Sequence, residues 1–225
     1  SSAASDVYKR QGKEFVDNRN KRGFNELRGY FIDEGGFLSS MDQPAEVSVL
    51  EQGPLFVKVA VKGKIGKYSF TQTIRLTQGE PRIDMSVKLD WIGSPRIGEP
   101  GIEFRADNPR KSFYDDRYKL LVYLPIQIAN QQIYKDAPFD VCESRLENTF
   151  FNRWDSIKHN IILNWVDVAS KDNSCGLSLF TDHTTSYAHG KDFPLALNVQ
   201  YAGKGLWGRD YIIDRPTEIS DALIP

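Results

Sequence analysis

Residues 47–91 constrain the fold most, because apolar and polar residues alternate there in three successive runs. The runs cover residues 55–62, 68–76 and 82–91. A period of two places alternate side chains on opposite faces of a β-strand, so each run predicts a strand with one buried and one wetter face. Residues typical of turns separate the runs, at positions 53–54, 63–66 and 79–81. The stretch therefore predicts an antiparallel meander in an all-β protein of two layers.

The rest of the chain continues this pattern with shorter runs. Further strands are predicted at 120–128, 133–140, 161–168, 175–181, 195–201, 211–213 and 217–223, after a hairpin that turns at 10–13. Pro125 predicts an edge strand or a bulge, because proline cannot donate to the ladder of a sheet. Residues 18–45 follow neither period and are interpreted as a surface loop with one short strand.

Two long polar or glycine- and proline-rich segments, residues 92–116 and 143–160, are interpreted as loops. No helix longer than two turns is predicted. About a dozen strands with two long loops predict one large two-layer antiparallel sandwich over residues 1–225. Because the chain opens on a serine- and alanine-rich stretch and stops directly after a strand pattern, we expect a domain excised from a longer polypeptide.

Composition narrows the classes of partner. The 225 residues are 40% hydrophobic and 26% charged, which is ordinary for a globular protein with a substantial core. The 29 basic and 30 acidic residues give a formal net charge of -1, so we expect neither a nucleic acid nor an anionic membrane as partner. No apolar run approaches the length that spans a bilayer.

The two cysteines, Cys142 and Cys175, flank predicted strands. A disulfide needs a defined separation between the two Cα atoms, which the sequence does not provide. Two free thiols are the favoured interpretation, the pairing stays open, and so does the cellular compartment.

The residues that could carry metal or acid chemistry form no standard motif. The histidines are His159, His183 and His189, and zinc signatures need three or four ligands in closely spaced pairs. We interpret them as surface loop histidines and assign no metal ligand. A glycosidase needs two carboxyl groups flanking the scissile bond. Five carboxylates near loop ends are candidates, each with the alternative of a solvated surface group: Glu143, Glu147, Asp155, Asp167 and Asp182.

Aromatic residues are more informative, because they gather near the loops of the C-terminal half. Sugar rings present C–H faces that pack on aromatic planes, whereas Asp, Asn and Arg bind the hydroxyl groups. Core packing is the alternative for any single aromatic residue. The group that suggests a carbohydrate-facing rim is Phe150, Phe151, Trp154, Trp165, Tyr187, Tyr201 and Trp207.

The C-terminal half resembles family 38 glycoside hydrolases, the α-mannosidases. Residues 138–145 resemble the family's P-F-G-x-x-E-R segment, residues 164–168 its x-W-x-D-L strand, and residues 175–182 its G-x-A-L-L-N-D segment. Tyr187 stands where the family often has a tyrosine. Asp140 departs from the pattern, because it replaces the usual glycine.

The N-terminal half and the last residues of the chain resemble the same family, in the same order. Residues 50–54 match L-E-x-G-P, residues 72–84 resemble the Q-x-I-x-L and P-R-I-D pair, and residues 222–225 resemble the closing Y-A-L-x-P-H. The segments 108–118 and 147–160 depart from the family pattern, because they have no clear counterpart in it.

The resemblance implies a β-supersandwich of the galactose-mutarotase-like fold within a retaining, zinc-dependent α-mannosidase. In that family an N-terminal α/β barrel carries the zinc ligands and the aspartate nucleophile. We therefore assign no catalytic or metal residue here, and we expect zinc in the missing catalytic domain. The implied partners are that N-terminal domain and mannose-containing glycans, and the fragment is expected to be inactive alone.

The segments that carry the resemblance also suggest which residues border the substrate. The predicted rim is Glu143, Arg145, Asn164, Trp165, Asp182 and Tyr187. Two other functions stay open. A stand-alone carbohydrate-binding module would bind a glycan by itself, and a structural interaction domain would show a contiguous apolar patch instead.

Overall fold

The computed structural model describes residues 9–10, 13–14, 16–17, 21–99, 116–144, 161–190, 193–203 and 210–225. Within these ranges the chain forms β-strands and two single-turn 3-10 helices, Ile32–Glu34 and Asp116–Tyr118. No helix in them is long and apolar enough to span a membrane. The first strands are β1 (Lys9–Arg10), β2 (Lys13–Glu14), β3 (Glu26–Phe31), β4 (Gly36–Ser39), β5 (Glu46–Gln52), β6 (Phe56–Ile65), β7 (Tyr68–Thr77) and β8 (Ile83–Asp90).

The remaining strands complete two large sheets. They are β9 (Leu120–Leu124), β10 (Gln131–Ala137), β11 (Asp140–Ser144), β12 (Ile161–Ile162), β13 (Trp165–Ser170), β14 (Gly176–Thr181), β15 (Thr185–Gly190), β16 (Phe193–Gln200) and β17 (Thr217–Ile224). One sheet has nine strands in the order β11-β10-β13-β14-β17-β8-β7-β6-β5, and the other has six in the order β12-β15-β16-β9-β3-β4. Strands β1 and β2 form a separate hairpin. The all-β, two-layer prediction is confirmed.

The core lies between the two sheets and follows from the alternation within each strand. In β8 the buried residues are Ile83, Met85, Val87 and Leu89, whereas the residues between them are more exposed. Their counterparts on the six-stranded sheet include Leu120, Val122, Leu124, Leu195 and Leu197, which belong to the same apolar cluster. Burying each such side chain stabilises the fold by about 1.5–3 kcal/mol. Apolar burial therefore holds the two layers face to face.

The predicted meander is confirmed as strands β5 to β8, which pair in sequence order. Two of its glycines have the left-handed conformation that a tight turn requires: φ is 59° at Gly66 and 78° at Gly79. The hairpin predicted at 10–13 is also present, because Arg10 pairs with Lys13.

The interpretation of residues 18–45 as a loop with one short strand is wrong. They contain both β3 and β4, and β3 is an internal strand whose Leu27 and Phe31 are fully buried. Gly29 lies between them on the same face and interrupts the apolar alternation. A Cβ at this position would lie 2.9 Å from the Leu120 Cα atom, so the close approach of β9 requires a glycine. The same glycine interrupts the apolar alternation that would otherwise have predicted β3.

The interpretation of Pro125 is also wrong, because β9 ends one residue before it. All five residues of β9 are buried, and the strand lies between β3 and β16. Proline here ends an internal strand rather than marking an edge. Its carbonyl oxygen accepts a hydrogen bond from the Asp17 backbone N–H at 3.0 Å.

Residues 161–168 were predicted as one strand, but the chain divides them between the two sheets. Strand β12 joins the six-stranded sheet and β13 joins the nine-stranded sheet. Two strands were not predicted at all, β11 and β15, and residues 211–213 lie outside any strand. Cys142 and Cys175 are both free thiols.

Candidate functional site

An open cleft of about 440 Å³ lies on the outer face of the nine-stranded sheet, away from the core. We call it the outer cleft. Its charged and aromatic lining residues are Lys58, Arg75, Arg82, Asp84, Phe180, Asp182 and Asp221. They lie on β6, β7, β8, β14 and β17 or directly beside these strands, so one continuous sheet positions all of them.

Strand register explains why these side chains meet. Lys58 pairs with Arg75, Arg75 with Asp84, and Asp84 with Ala222. The row continues from Ala222 to Phe180, and from Phe180 to Trp165. Directly opposed residues of neighbouring strands lie on the same face at about 4.5–5.5 Å between Cβ atoms. The result is a lateral row with charged groups at one end and two aromatic rings at the other.

One residue of the predicted rim, Asp182, lines this cleft, and two others, Asn164 and Trp165, lie beside residues that line it. The Asn164 carbonyl oxygen accepts a hydrogen bond of 2.7 Å from the backbone N–H of Thr181, the residue before Asp182. Trp165 follows Asn164 and pairs with the exposed Phe180. The structure thus brings Asn164, Trp165 and Asp182 to one place.

Asp136 of β10 fixes the turn that carries Asn164 and Trp165. Its carboxylate accepts backbone N–H groups from Leu163 at 2.9 Å, Asn164 at 2.7 Å and Trp165 at 3.2 Å. The Asn164 side-chain amide donates a further bond to it at 2.9 Å. Because Asp136 is buried, these charge-assisted bonds hold the chain where it passes from one sheet to the other.

The neighbouring Lys135 secures the other side of the same turn. Its ammonium group donates a hydrogen bond to the Ile161 carbonyl oxygen at 2.6 Å. Burial lowers the pKa of this lysine below its ordinary value, although the nearby Cys142 and Asp136 oppose the shift. Two adjacent residues of β10 therefore hold the turn from its two ends.

The outer cleft combines opposite charges with hydroxyl groups. Arg82 Nε lies 2.6 Å from Asp84 Oδ1, and Asp182 Oδ1 lies 2.6 Å from His183 Nδ1. Exposed ion pairs of this kind contribute little to stability, so these groups can exchange their partners for the hydroxyl groups of a ligand. Aromatic planes beside convergent polar groups are typical of sites that bind polyhydroxylated molecules.

Asp221 lies at the same cleft but on the buried face of β17. It shares that face with Thr217, Ile219 and Leu223, all buried. Its Oδ1 atom has no hydrogen-bond partner. Burial, with a smaller contribution from the negative charge of Asp182, raises the pKa of Asp221 to about 7. A carboxyl group that is neutral in mildly acidic solution therefore lies beneath the cleft.

Comparisons with known proteins identify the family to which the chain belongs. The family model for the glycosyl hydrolases family 38 C-terminal domain matches residues 27–198, about three quarters of the chain. The chain belongs to this family. The resemblance seen in the sequence is thereby confirmed. No curated protein matches the chain.

A solved structure of an alpha-mannosidase from Enterococcus faecalis V583 is similar to this family 38 domain in fold. The superposition has a TM-score of 0.55 at 10% sequence identity and covers 95% of this chain. It covers only 27% of the alpha-mannosidase chain. At this identity the comparison shows a shared fold, and this chain spans about a quarter of that protein.

Two other predicted rim residues of the family 38 domain, Glu143 and Tyr187, lie elsewhere. Glu143 is exposed on β11, where it pairs with Tyr134, and β10 separates its strand from Trp165. Tyr187 has no exposed surface and belongs to the core of the six-stranded sheet. Its hydroxyl is hydrogen-bonded to Ser144 Oγ, and burial raises its pKa. Arg145 lies outside the described residues.

Two of the remaining candidates, Asp167 and Tyr201, are described by the structure and do not line the outer cleft. Asp167 lies on β13 and accepts a hydrogen bond from Ser178 Oγ at 2.5 Å. Tyr201 packs edge-on against Tyr211, with 5.7 Å between ring centroids. The candidates outside the described residues are Glu147, Phe150, Phe151, Trp154, Asp155 and Trp207.

Sequence reasoning missed Phe180, Lys58, Arg75 and Arg82 as members of the site. For Lys58, Arg75 and Arg82 the signal was present in the period of two, because each occupies a wetter position of a predicted strand. The missing information was the order of the strands, which places β14 beside β17 and β17 beside β8.

The described residues of this family 38 domain do not fit a zinc ion. No three of their His, Cys, Asp and Glu side chains come together in a group that could hold a metal. His183 contacts Asp182, but the interpretation of His189 as a surface loop residue is wrong. His189 is buried on β15, with Nε2 2.7 Å from Gln131 Oε1 and Nδ1 2.9 Å from the Phe193 carbonyl oxygen. Its burial lowers the pKa to about 4. His159 lies outside the described residues.

Proposed function

We propose that this chain is the C-terminal β-domain of a retaining, zinc-dependent α-mannosidase that hydrolyses terminal α-mannosides. In this proposal the catalytic residues and the zinc ion belong to an upstream domain of the same polypeptide. The family match over residues 27–198 is the observation that carries the proposal. The fold similarity to an alpha-mannosidase of greater length supports it.

The role proposed for the outer cleft is to bind and orient part of the glycan. Trp165 and Phe180 offer aromatic surface to the C–H face of a sugar ring. Asn164, Asp182 and Arg82 offer donors and acceptors for its hydroxyl groups. The outer cleft is open and has few carboxyl groups. These properties are more typical of the wall of an active site than of the place where the reaction occurs.

An uncovered apolar surface supports the association with an upstream domain. Val47, Val49, Leu55 and Leu76 are between 49% and 70% exposed, and we call them the apolar stripe. They continue the inner face of the nine-stranded sheet, because the same face carries Val61 and Ile74, which pack on the core. Contiguous apolar surface of this kind is typical of interfaces between domains.

The stripe and the outer cleft lie at the same end of the sheet. Leu76 pairs with Val57, and the adjacent pair Arg75 and Lys58 lies on the opposite face and lines the cleft. The occupant proposed for the stripe is the upstream catalytic domain, since the alpha-mannosidase of similar fold is about three and a half times as long. A domain docked there borders the outer cleft.

The test compares the 225-residue chain with the same chain carrying its upstream sequence. We expect the longer protein to hydrolyse an aryl α-mannoside and to leave an aryl β-mannoside intact. We expect no turnover by the 225-residue chain, because the barrel that supplies the reacting groups is missing. Turnover by that chain alone overturns the proposed division of roles, and a longer protein inactive on the α-mannoside overturns the substrate.

The aromatic pair in the outer cleft favours one second candidate, a carbohydrate-binding module that acts without a catalytic neighbour. It predicts that the 225-residue chain releases heat on titration with mannose oligosaccharides. The same titration with the Trp165→Ala variant assigns any binding to this cleft. Binding by the isolated chain with no activity in the longer protein favours this second candidate.

A further inference from the structure

A second cleft, of about 330 Å³, lies on the outer face of the six-stranded sheet, on the opposite side of the molecule. We call it the arginine cleft, because three guanidinium groups line it together with aromatic rings. The residues that matter here are Arg22, Arg28, Arg117, Phe37, Tyr118 and Tyr123. The outer cleft includes none of them.

Stacking on aromatic rings orients two of the guanidinium groups. The Arg28 guanidinium carbon lies 4.5 Å from the centre of the Phe37 ring, and that of Arg22 lies 5.9 Å from the centre of the Tyr123 ring. Phe37 is itself stacked on Tyr118, with 5.6 Å between centroids. A stacked guanidinium keeps its N–H groups at the edge, where they can donate to a ligand.

Positive charge exceeds negative charge in this cleft. Glu26 neutralises Arg22 at 3.1 Å, and the same carboxylate already accepts bonds from Ser39 Oγ and the Gly23 N–H. Asp116 is likewise engaged, with Lys119 Nζ at 2.5 Å and Ser186 Oγ at 2.9 Å.

Arg28 differs from Arg22, because no acidic side chain of the described residues forms an ion pair with it. The Tyr123 hydroxyl adds no negative charge at neutral pH, since burial raises its pKa to about 12. An excess of positive charge at one cleft stands out in a chain whose formal net charge is -1. Such a cleft attracts anions.

We propose that the arginine cleft binds an acidic sugar, through a carboxylate or phosphate group held by Arg28. A guanidinium group presents parallel N–H donors that match a carboxylate or phosphate in two-point contact. The Phe37 and Tyr118 rings beside it offer a plane for the sugar's C–H face. The anion part of this inference stands on the arginines alone, whereas the sugar part rests on the proposed function.

The test is calorimetric titration of the 225-residue chain with glucuronate, glucose 6-phosphate, inorganic phosphate and glucose. We expect the two acidic sugars to bind more tightly than inorganic phosphate, and glucose not to bind. Raising the salt concentration from about 0.01 M to 0.15 M weakens binding, because it shortens the Debye length.

Variants assign the binding to the arginine cleft. Arg28→Gln is expected to weaken binding of the acidic sugars about tenfold or more, since a hydrogen bond to a charged group is lost. Arg28→Lys keeps the charge but not the two-point contact, so we expect a smaller loss. The matched control is Arg96→Gln, because Arg96 already pairs with Asp33 on the surface at 2.6 Å. This control is expected to leave the affinity unchanged.

Four results overturn the inference. No binding of any probe, or equal binding of glucose and glucuronate, removes the anion site. Equal loss in Arg28→Gln and Arg96→Gln removes the assignment to this cleft. Tighter binding of a short glutamate peptide than of the acidic sugars replaces the sugar with an acidic protein segment. Loss of the α-mannosidase assignment leaves the anion part intact, because inorganic phosphate tests it separately.

Discussion

The two clefts use the same kinds of side chain, but they differ in charge balance. In the outer cleft Lys58, Arg75 and Arg82 lie among three carboxyl groups, those of Asp84, Asp182 and Asp221. In the arginine cleft the nearby carboxylates of Glu26 and Asp116 are buried and already engaged. Aromatic surface with balanced charge suits a neutral sugar, whereas aromatic surface with excess guanidinium suits an acidic one. The balance of charge, not the presence of aromatic rings, therefore separates the two sites.

A buried ionisable group lies behind each cleft, and the two respond to pH in opposite directions. Asp221 lies beneath the outer cleft, with a pKa raised to about 7. His189 contacts the carbonyl oxygen of Phe193, which lines the arginine cleft, and its pKa is lowered to about 4. Substitutions of residues in and behind the clefts can therefore distinguish the contributions that the two sides of the molecule make.

The largest effect is expected for Asp136→Ala, which removes the carboxylate that holds the turn at the outer cleft. Three backbone N–H groups lose a charged acceptor, so we expect the free energy of unfolding to fall by about 3 kcal/mol or more. Urea denaturation measures this change. Asp33→Ala is the control, because it breaks an exposed pair with Arg96 and should cost under about 1 kcal/mol. Equal losses in the two variants would show that the turn does not depend on Asp136.

Asp221→Asn is expected to change how stability depends on pH. The folded-state pKa of Asp221 lies above its ordinary value of 3.8, so the folded state binds the proton more tightly. The stabilisation of the folded state by protonated Asp221 is fully present below pH 4 and disappears as the pH rises through 7. Between pH 5 and pH 8 this group should lower the stability by about 2–3 kcal/mol, a loss that the asparagine variant avoids. Denaturation at both pH values checks the sign, and an unchanged slope in the variant would contradict it.

His189→Gln, behind the arginine cleft, is expected to change the dependence of stability on pH in the opposite direction from Asp221→Asn. The folded-state pKa of His189 lies below its ordinary value of 6.5, so the unfolded state binds the proton more tightly. The part of the stability that depends on neutral His189 is fully present above pH 6.5 and is lost as the pH falls toward 4. Between pH 7 and pH 5 the loss should be about 2 kcal/mol, and glutamine should remove it. Because the slopes of Asp221 and His189 oppose each other, the double variant is expected to resemble the wild type in shape. A double variant steeper than either single variant would refute this opposition.

The sequence predicts best the parts of this fold that depend on local periodicity. Strands β6, β7 and β8 each carry an unbroken alternation, and two segments that contribute to the family resemblance, residues 50–54 and 72–84, lie in the same meander. Strand β3 was not recognised as an internal strand, because Gly29 occupies a position at which the period of two requires an apolar residue. The division of residues 161–168 between two sheets was not predicted, because it depends on Asp136, a carboxylate on a different strand.

The clefts show the same limit. Asn164, Trp165 and Asp182 were identified from motif positions, and they do lie together. Tyr187 was identified in the same way but is buried, because the motif gives no information on which face of β15 packs inward. The arginine cleft was not predicted, since Arg28 and Arg117 are distant in sequence and meet only through the pairing of β3 with β9. Strand order is the physical information that one sequence lacks.

The most direct test of the account is the steady-state hydrolysis of an aryl α-mannoside by the longer protein carrying Trp165→Ala. If the outer cleft walls the active site and orients the glycan, KM should rise about tenfold while kcat changes little, because binding surface is lost and the reacting groups are intact. Tyr211→Leu removes an exposed aromatic ring outside both clefts, so it is the matched control and should leave both constants unchanged. An unaltered KM in Trp165→Ala, or an equal change in both variants, would contradict the account.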